Sequence, residues 1–142
     1  MERARELNVV AEMSPAVWHL YGRTLGNPPH DAWEFKKIMD AGILMTIGTD
    51  WAVTDDPNLF PALEGMLKHG DNSIDLESAV GALTTNGALA VGRERDFGKI
   101  EVGKLATFII LDRNIFEIDS SHISETKVIS TIFEGRTVYH SK

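Results

Sequence analysis

Apolar residues recur along this chain in two different periods, and the change between them divides it. Leu7 to Ala11 (Leu-Asn-Val-Val-Ala) reads as a short buried strand, and Glu12-Met13-Ser14-Pro15 turns out of it. Residues 14–30, with Gly22, Gly26, Pro28 and Pro29, read as loop. Ala32, Phe35, Ile38 and Met39 then recur at helical spacing behind Asp31, a residue able to accept bonds from first-turn amides, and Gly42 stands where a helix C-terminus favours glycine. Ile43 to Ile47 is an apolar run of strand length, ended by Gly48-Thr49-Asp50. A polar loop, Asp50 to Pro57, leads to a second helical stripe of Leu59, Leu63, Met66 and Leu67. Pro61 is tolerable in its first turn, and Gly70 stops it.

A third helix is predicted over Leu76 to Thr84 with Asp75 as its N-cap, broken or bent at Asn86-Gly87 before a short second piece, Ala88 to Gly92. After Phe97 the character changes. Gly98 to Lys104 is a turn-rich, charged connector, Leu105 to Leu111 is a nearly unbroken apolar strand, and Asp112 to Ser124 is loop. Lys127 to Phe133 alternates with period two. Val128, Ser130 and Ile132 share one face, and Ile129, Thr131 and Phe133 the other. Glu134-Gly135 is a two-residue hairpin turn returning through Thr137-Val138-Tyr139.

The first 70 residues therefore read β-loop-α-β-loop-α, the order that pairs strands in parallel through right-handed crossovers. Two such units are too few to close a barrel or to build an ordinary doubly wound sheet. The last third is a small antiparallel unit of a different kind.

Composition narrows the function classes. The 142 residues carry 43% apolar residues and a formal charge of -7, which argues against a nucleic-acid partner or an anionic membrane surface. The absence of cysteine removes disulfides and thiolate metal sites and fits a cytoplasmic protein. No apolar run approaches the roughly 20 residues of a membrane span. The charged start, Met1 to Leu7, does not resemble a signal peptide.

Asp50 is the leading candidate for chemistry. A carboxylate just past the C-terminal tip of a buried strand stands where α/β sheets and barrels place their sites. The same residue could simply cap the following turn. Trp51 beside it could line a pocket or pack. Arg23, on the first long loop, could meet a substrate carboxylate. His19 and His30 share that loop and read more simply as bystanders. Asp55-Asp56 reads as a charged loop ahead of a helix, where carboxylates are favoured, and His69 as a helix-end residue complementing the dipole. Glu12 stands at a strand tip, and His122 and His140 fall in the antiparallel unit.

Four stretches, in order, resemble the C-terminal end of a metal-dependent amidohydrolase. They are Ala41-Gly42-Ile43 through Gly48-Thr49-Asp50-Trp51; Leu76-Glu77-Ser78-Ala79-Val80 through Thr84-Thr85-Asn86-Gly87-Ala88; Gly98-Lys99-Ile100-Glu101-Val102-Gly103-Lys104 through Asp112; and Val128 to Thr131 with Gly135-Arg136-Thr137-Val138-Tyr139. The resemblance is to amidohydrolase family 3, the group with N-substituted formamide deformylase-like and exoenzyme-regulatory-like proteins. Thr107 departs from it, standing where the family usually has Asp.

The resemblance implies a TIM-type (β/α)8 barrel, represented here by its last two βα units (residues 1–97), and the C-terminal part of a small β-sandwich (residues 98–142). It implies hydrolysis of non-peptide carbon–nitrogen bonds in a small amide-type substrate. A divalent metal, zinc by expectation, would assist, with Asp50 as the strand-eight ligand or general base and Trp51 and Arg23 near the substrate. The family's His-x-His does not occur, and its other ligands belong to strands one to six, so the chain alone is expected to hold no metal. Two expectations follow: a catalytically incomplete C-terminal fragment, or a non-catalytic α/β module from a truncated gene. Both expose strand edges at Asn8 to Ala11 or Ile43 to Ile47 and so predict a homo-oligomer.

Overall fold

The computed structural model describes residues 1–15, 33–51 and 56–142. The chain opens with a short helix, α1 (Glu2–Glu6), and enters strand β1 (Val10–Met13). The first strand thus starts three residues and ends two residues later than the Leu7 to Ala11 run predicts. Asn8 adopts φ 51° where α1 ends, and Leu7, Val9 and Val10 remain exposed. Helix α2 (Phe35–Asp40) follows, and the Asp31 cap expected for it lies outside the described residues. Its end explains Gly42. The Gly42 amide donates to the Met39 carbonyl at 2.8 Å and the Ile43 amide to that of Ile38 at 3.2 Å. That closure needs a left-handed residue, and Gly42 has φ 70°.

Strand β2 (Leu44–Ile47) runs parallel to β1, with Ala11 opposite Met45, Glu12 opposite Thr46 and Met13 opposite Ile47. This is the parallel pairing that the alternation of strands and helices predicts. Helix α3 (Phe60–Leu67) carries Pro61 in its first turn and ends at Leu67, short of Gly70, which opens a separate 3-10 turn. Helix α4 (Leu76–Leu83) is capped as expected: the Asp75 carboxylate accepts the Ser78 amide at 2.8 Å and the Ser78 hydroxyl at 2.9 Å. The break before α5 (Thr85–Ala90) falls at Thr84, where φ and ψ are -122° and -80°. Asn86 and Gly87 are therefore inside a helix and do not end one. The hydroxyls of Thr84 and Thr85 bond back to the carbonyls of Val80 and Gly81, competing with the helical ladder where it fails.

The remaining strands, β3 (Phe108–Leu111), β4 (Val128–Phe133) and β5 (Arg136–His140), form an antiparallel sheet in the order β3-β4-β5. β3 is shorter than the apolar run around it, and Ile109 and Ile110 are each half exposed. The Glu134-Gly135 turn has φ 48° and 80°, the doubly left-handed geometry of a tight hairpin. The segment between β3 and β4 holds a 3-10 turn, Ser120–Glu125, where the sequence pattern suggests only loop.

Met13, Ile43 and Met45, from one face of the β1-β2 pair, pack against Phe35, Ile38, Leu63, Met66, Ala79 and Ala82 of the helices. Ile115 and Ile123 of the C-terminal segment enter the same core. A polar clamp reinforces that docking. The Glu64 carboxylate accepts the Ser124 amide at 2.9 Å and the Lys68 ammonium at 2.8 Å. Partial burial alone would raise the Glu64 pKa, but these two donors outweigh it and hold the carboxyl below its ordinary value.

Candidate functional site

The site is built at the C-terminal ends of β1 and β2. Their parallel register places Met13 beside Ile47, and the Gly48 amide closes the ladder by donating to the Met13 carbonyl at 2.9 Å. Side chains alternate across a strand. With Met13 and Met45 committed to the helical core, Glu12, Thr46 and Gly48 share the opposite face. The Glu12 carboxylate lies directly over the Gly48 Cα, in the space a Cβ there would fill. A side chain at position 48 would have to displace the Glu12 carboxylate, a relation the sequence alone does not reveal.

Two residues further on, Asp50 is exposed with φ 45°. Asp and Asn tolerate that left-handed conformation better than most residues, but it still carries backbone strain. Neither the Glu12 nor the Asp50 side chain is engaged in a hydrogen bond or ion pair with another described residue. Trp51 follows, 64% exposed, so it packs in no core. Arg23, His19, His30 and Asp55 lie outside the described residues. Asp56 is exposed and accepts the Asn58 amide at 2.9 Å, a local turn ahead of α3.

The other histidines are placed elsewhere. His69 is not a surface partner of a helix dipole. It is 7% exposed and meets the Phe35 ring edge-on at 5.1 Å between centroids. His122 pairs with Glu125 at 3.1 Å, and His140 bonds the Ser130 hydroxyl across β4-β5 at 2.7 Å. Among the described residues no three His, Asp or Glu side chains converge as a metal site. Asp50 suits a divalent ion as one oxygen donor, and the described residues do not complete the set.

Behind the site, the Asn86 side-chain amide donates to the Met45 carbonyl at 2.8 Å, tying α5 to the middle of β2. Gly98 packs onto the same helix. A Cβ built on it would stand 2.9 Å from that of Ala88 and 3.1 Å from the Thr85 Cα. These contacts account for the small and amide residues in Thr84 to Ala88 and for the first glycine of the connector.

A parallel strand pair flanked by helices, with a carboxylate past the second strand's tip that has no partner among the described residues, is a β/α arrangement of the kind that barrels repeat. The amidohydrolase family model matches residues 1–139, and the chain belongs to that family. Imidazolonepropionase from Porphyromonas gingivalis is 32% identical over 104 residues, 73% of this chain and 25% of that protein. The 5-methylthioadenosine/S-adenosylhomocysteine deaminase of Teredinibacter turnerae is 33% identical over 101 residues, 66% of this chain and 23% of its own length. An adenosine deaminase from Xanthomonas campestris, solved with bound zinc, superposes with a TM-score of 0.67 at 19% identity, covering 91% of this chain and 31% of that one. The chain spans about a quarter of the length of the curated relatives it matches. A closed barrel is not present among the described residues, whose parallel sheet has two strands. None of the described helices is long and apolar enough to cross a membrane.

Proposed function

We propose that this chain supplies the strand-eight carboxylate, Asp50, to a metal-dependent hydrolase of non-peptide carbon–nitrogen bonds, and that it is catalytically incomplete alone. The observation that carries the reading is Asp50 itself: exposed, without a side-chain partner among the described residues, and held at φ 45° past the tip of β2. An exposed acid in strained backbone adds little to packing, and strain of this kind clusters at functional sites. In this reading Asp50 takes a proton from the attacking water and delivers it to the leaving nitrogen. Trp51 and Arg23 flank a small amide-type substrate. Residues 1–97 are the barrel segment and residues 98–142 the sandwich segment. Supporting the metal part of the reading, one structural neighbour holds zinc.

The test is complementation. The chain is combined with a family member from which the matching C-terminal segment has been deleted, and zinc content and ammonia release are measured. Activity that depends on the chain and is lost on Asp50→Asn supports the reading. Activity retained by that variant overturns it.

A second reading, a self-associating module, rests on the apolar residues around β1: Leu7 at 57%, Val9 at 45% and Val10 at 38% exposure. The edge of β2 is less inviting, with Ile43 and Met45 buried. Light scattering that finds a monomer at high concentration would exclude this reading.

A further inference from the structure

We propose that Asn86 is a positioning residue for Asp50, acting as a helix-borne hydrogen-bond donor to the open edge of the strand that carries it. The proposal rests on the assignment of Asp50 to the site, but its test does not require activity. In a parallel ladder, alternate residues turn both backbone polar groups toward the same neighbour. The Gly48 amide donates to Met13, so Gly48, Thr46 and Leu44 face β1. Met45 therefore presents its carbonyl to the opposite edge, where the described residues offer no strand. Asn86 meets it there at 2.8 Å, from a position 41 residues away in sequence.

The consequence is mechanical. β2 has four residues, and its ladder to β1 holds one edge only. A four-residue strand paired on one side has few ladder bonds to hold its exit in place. A side-chain amide on the second edge holds the strand at its midpoint, and with it the Gly48-Thr49-Asp50 exit. Asn86 is itself held, because Ala88 on the same helix is buried and packs beneath Gly98. An amide suits the task because it donates without charge. The isosteric Asp would turn an acceptor toward a carbonyl.

Hydrogen exchange on the isotopically labelled chain reads this directly. The Gly48 amide reports the β1-β2 ladder next to Asp50. The Asp112 amide, bonded to the Lys127 carbonyl at 3.0 Å in the antiparallel sheet, is the internal reference. Asn86→Asp and Asn86→Ala are each expected to speed Gly48 exchange by about tenfold relative to Asp112. Equal acceleration at both amides, no acceleration at Gly48, or full protection in Asn86→Asp would overturn the proposal. A measurement on the unaltered chain covers variants that fail to fold. Scalar coupling through the hydrogen bond between Asn86 Nδ2 and the Met45 carbonyl carbon is expected, and its absence overturns the proposal as well. Asp50→Asn should leave Gly48 exchange unchanged, so failure of the Asp50 assignment would register in complementation and not here.

Discussion

Two glycines of one connector, Gly98 and Gly103, separate backbone freedom from close packing. They have nearly the same φ, 91° and 95°. A Cβ at Gly103 would meet nothing within 4 Å, whereas one at Gly98 would meet Ala88 Cβ at 2.9 Å, Thr85 Cα at 3.1 Å and the Thr84 carbonyl at 3.4 Å. An L-residue held in left-handed backbone costs about 1–2 kcal/mol. Removing a glycine from the unfolded chain returns roughly 0.4–1 kcal/mol. Gly103→Ala should therefore lose about 1 kcal/mol or less. Gly98→Ala adds overpacking against helix backbone, typically about 1–3 kcal/mol, for a total near 3 kcal/mol. In a chain of this size that lowers the melting temperature by about 10 °C. Urea unfolding followed by circular dichroism measures both variants with the slope as a check on the unfolded state. Losses equal within about 0.5 kcal/mol would refute the packing argument and leave only the backbone term.

Other outcomes follow from the same structure. Asp75→Ala should cost about 1 kcal/mol by removing the cap of α4, read from the same urea curves. Glu64→Gln weakens the clamp on the Ser124 amide and should cost about 1–2 kcal/mol at neutral pH. Because the folded Glu64 pKa is lowered from its ordinary value of 4.5, its contribution is complete above that value and fades as the pH falls through the folded value. The stability difference between this variant and the parent should shrink accordingly in acid. Lys104→Met removes an ammonium that caps the carbonyls of Glu94 and Phe97, and should cost about 1–2 kcal/mol in thermal unfolding. Asp50→Gly should leave stability unchanged or raise it by up to about 1 kcal/mol, since it relieves φ 45° and breaks no side-chain bond among the described residues.

The elements were legible in the sequence where local chemistry decides them. The Asp75 cap, the glycine closing α2 and the Glu134-Gly135 turn each depend on a few adjacent residues, and the parallel β1-β2 order follows from the alternation of strands and helices. Boundaries moved where tertiary contacts or solvent decide. β1 slides to Met13 because that side chain reaches the helical core, and β3 contracts because Ile109 and Ile110 lack a covering layer. His69 departs from a helix-end role because its burial depends on Phe35, a residue 34 places earlier, about which helix position says nothing. At the candidate site, Asp50 and Trp51 stand out from strand pattern and family motif. Glu12 over Gly48 and Asn86 on Met45 are relations between distant segments. A lone acid among apolar strand residues and a lone amide within a helix were their only local signals.

On the reading proposed above, Asp50 is the oxygen donor this chain contributes to a divalent-cation site whose other ligands the described residues do not supply. Titrating Mn²⁺ into the isotopically labelled chain tests it most directly, because paramagnetic broadening marks the residues nearest the ion. Broadening is expected to centre on Gly48, Thr49 and Asp50, weak in affinity and abolished by Asp50→Asn. Broadening centred elsewhere, on His122 and Glu125 for example, or unchanged by that substitution, would contradict it.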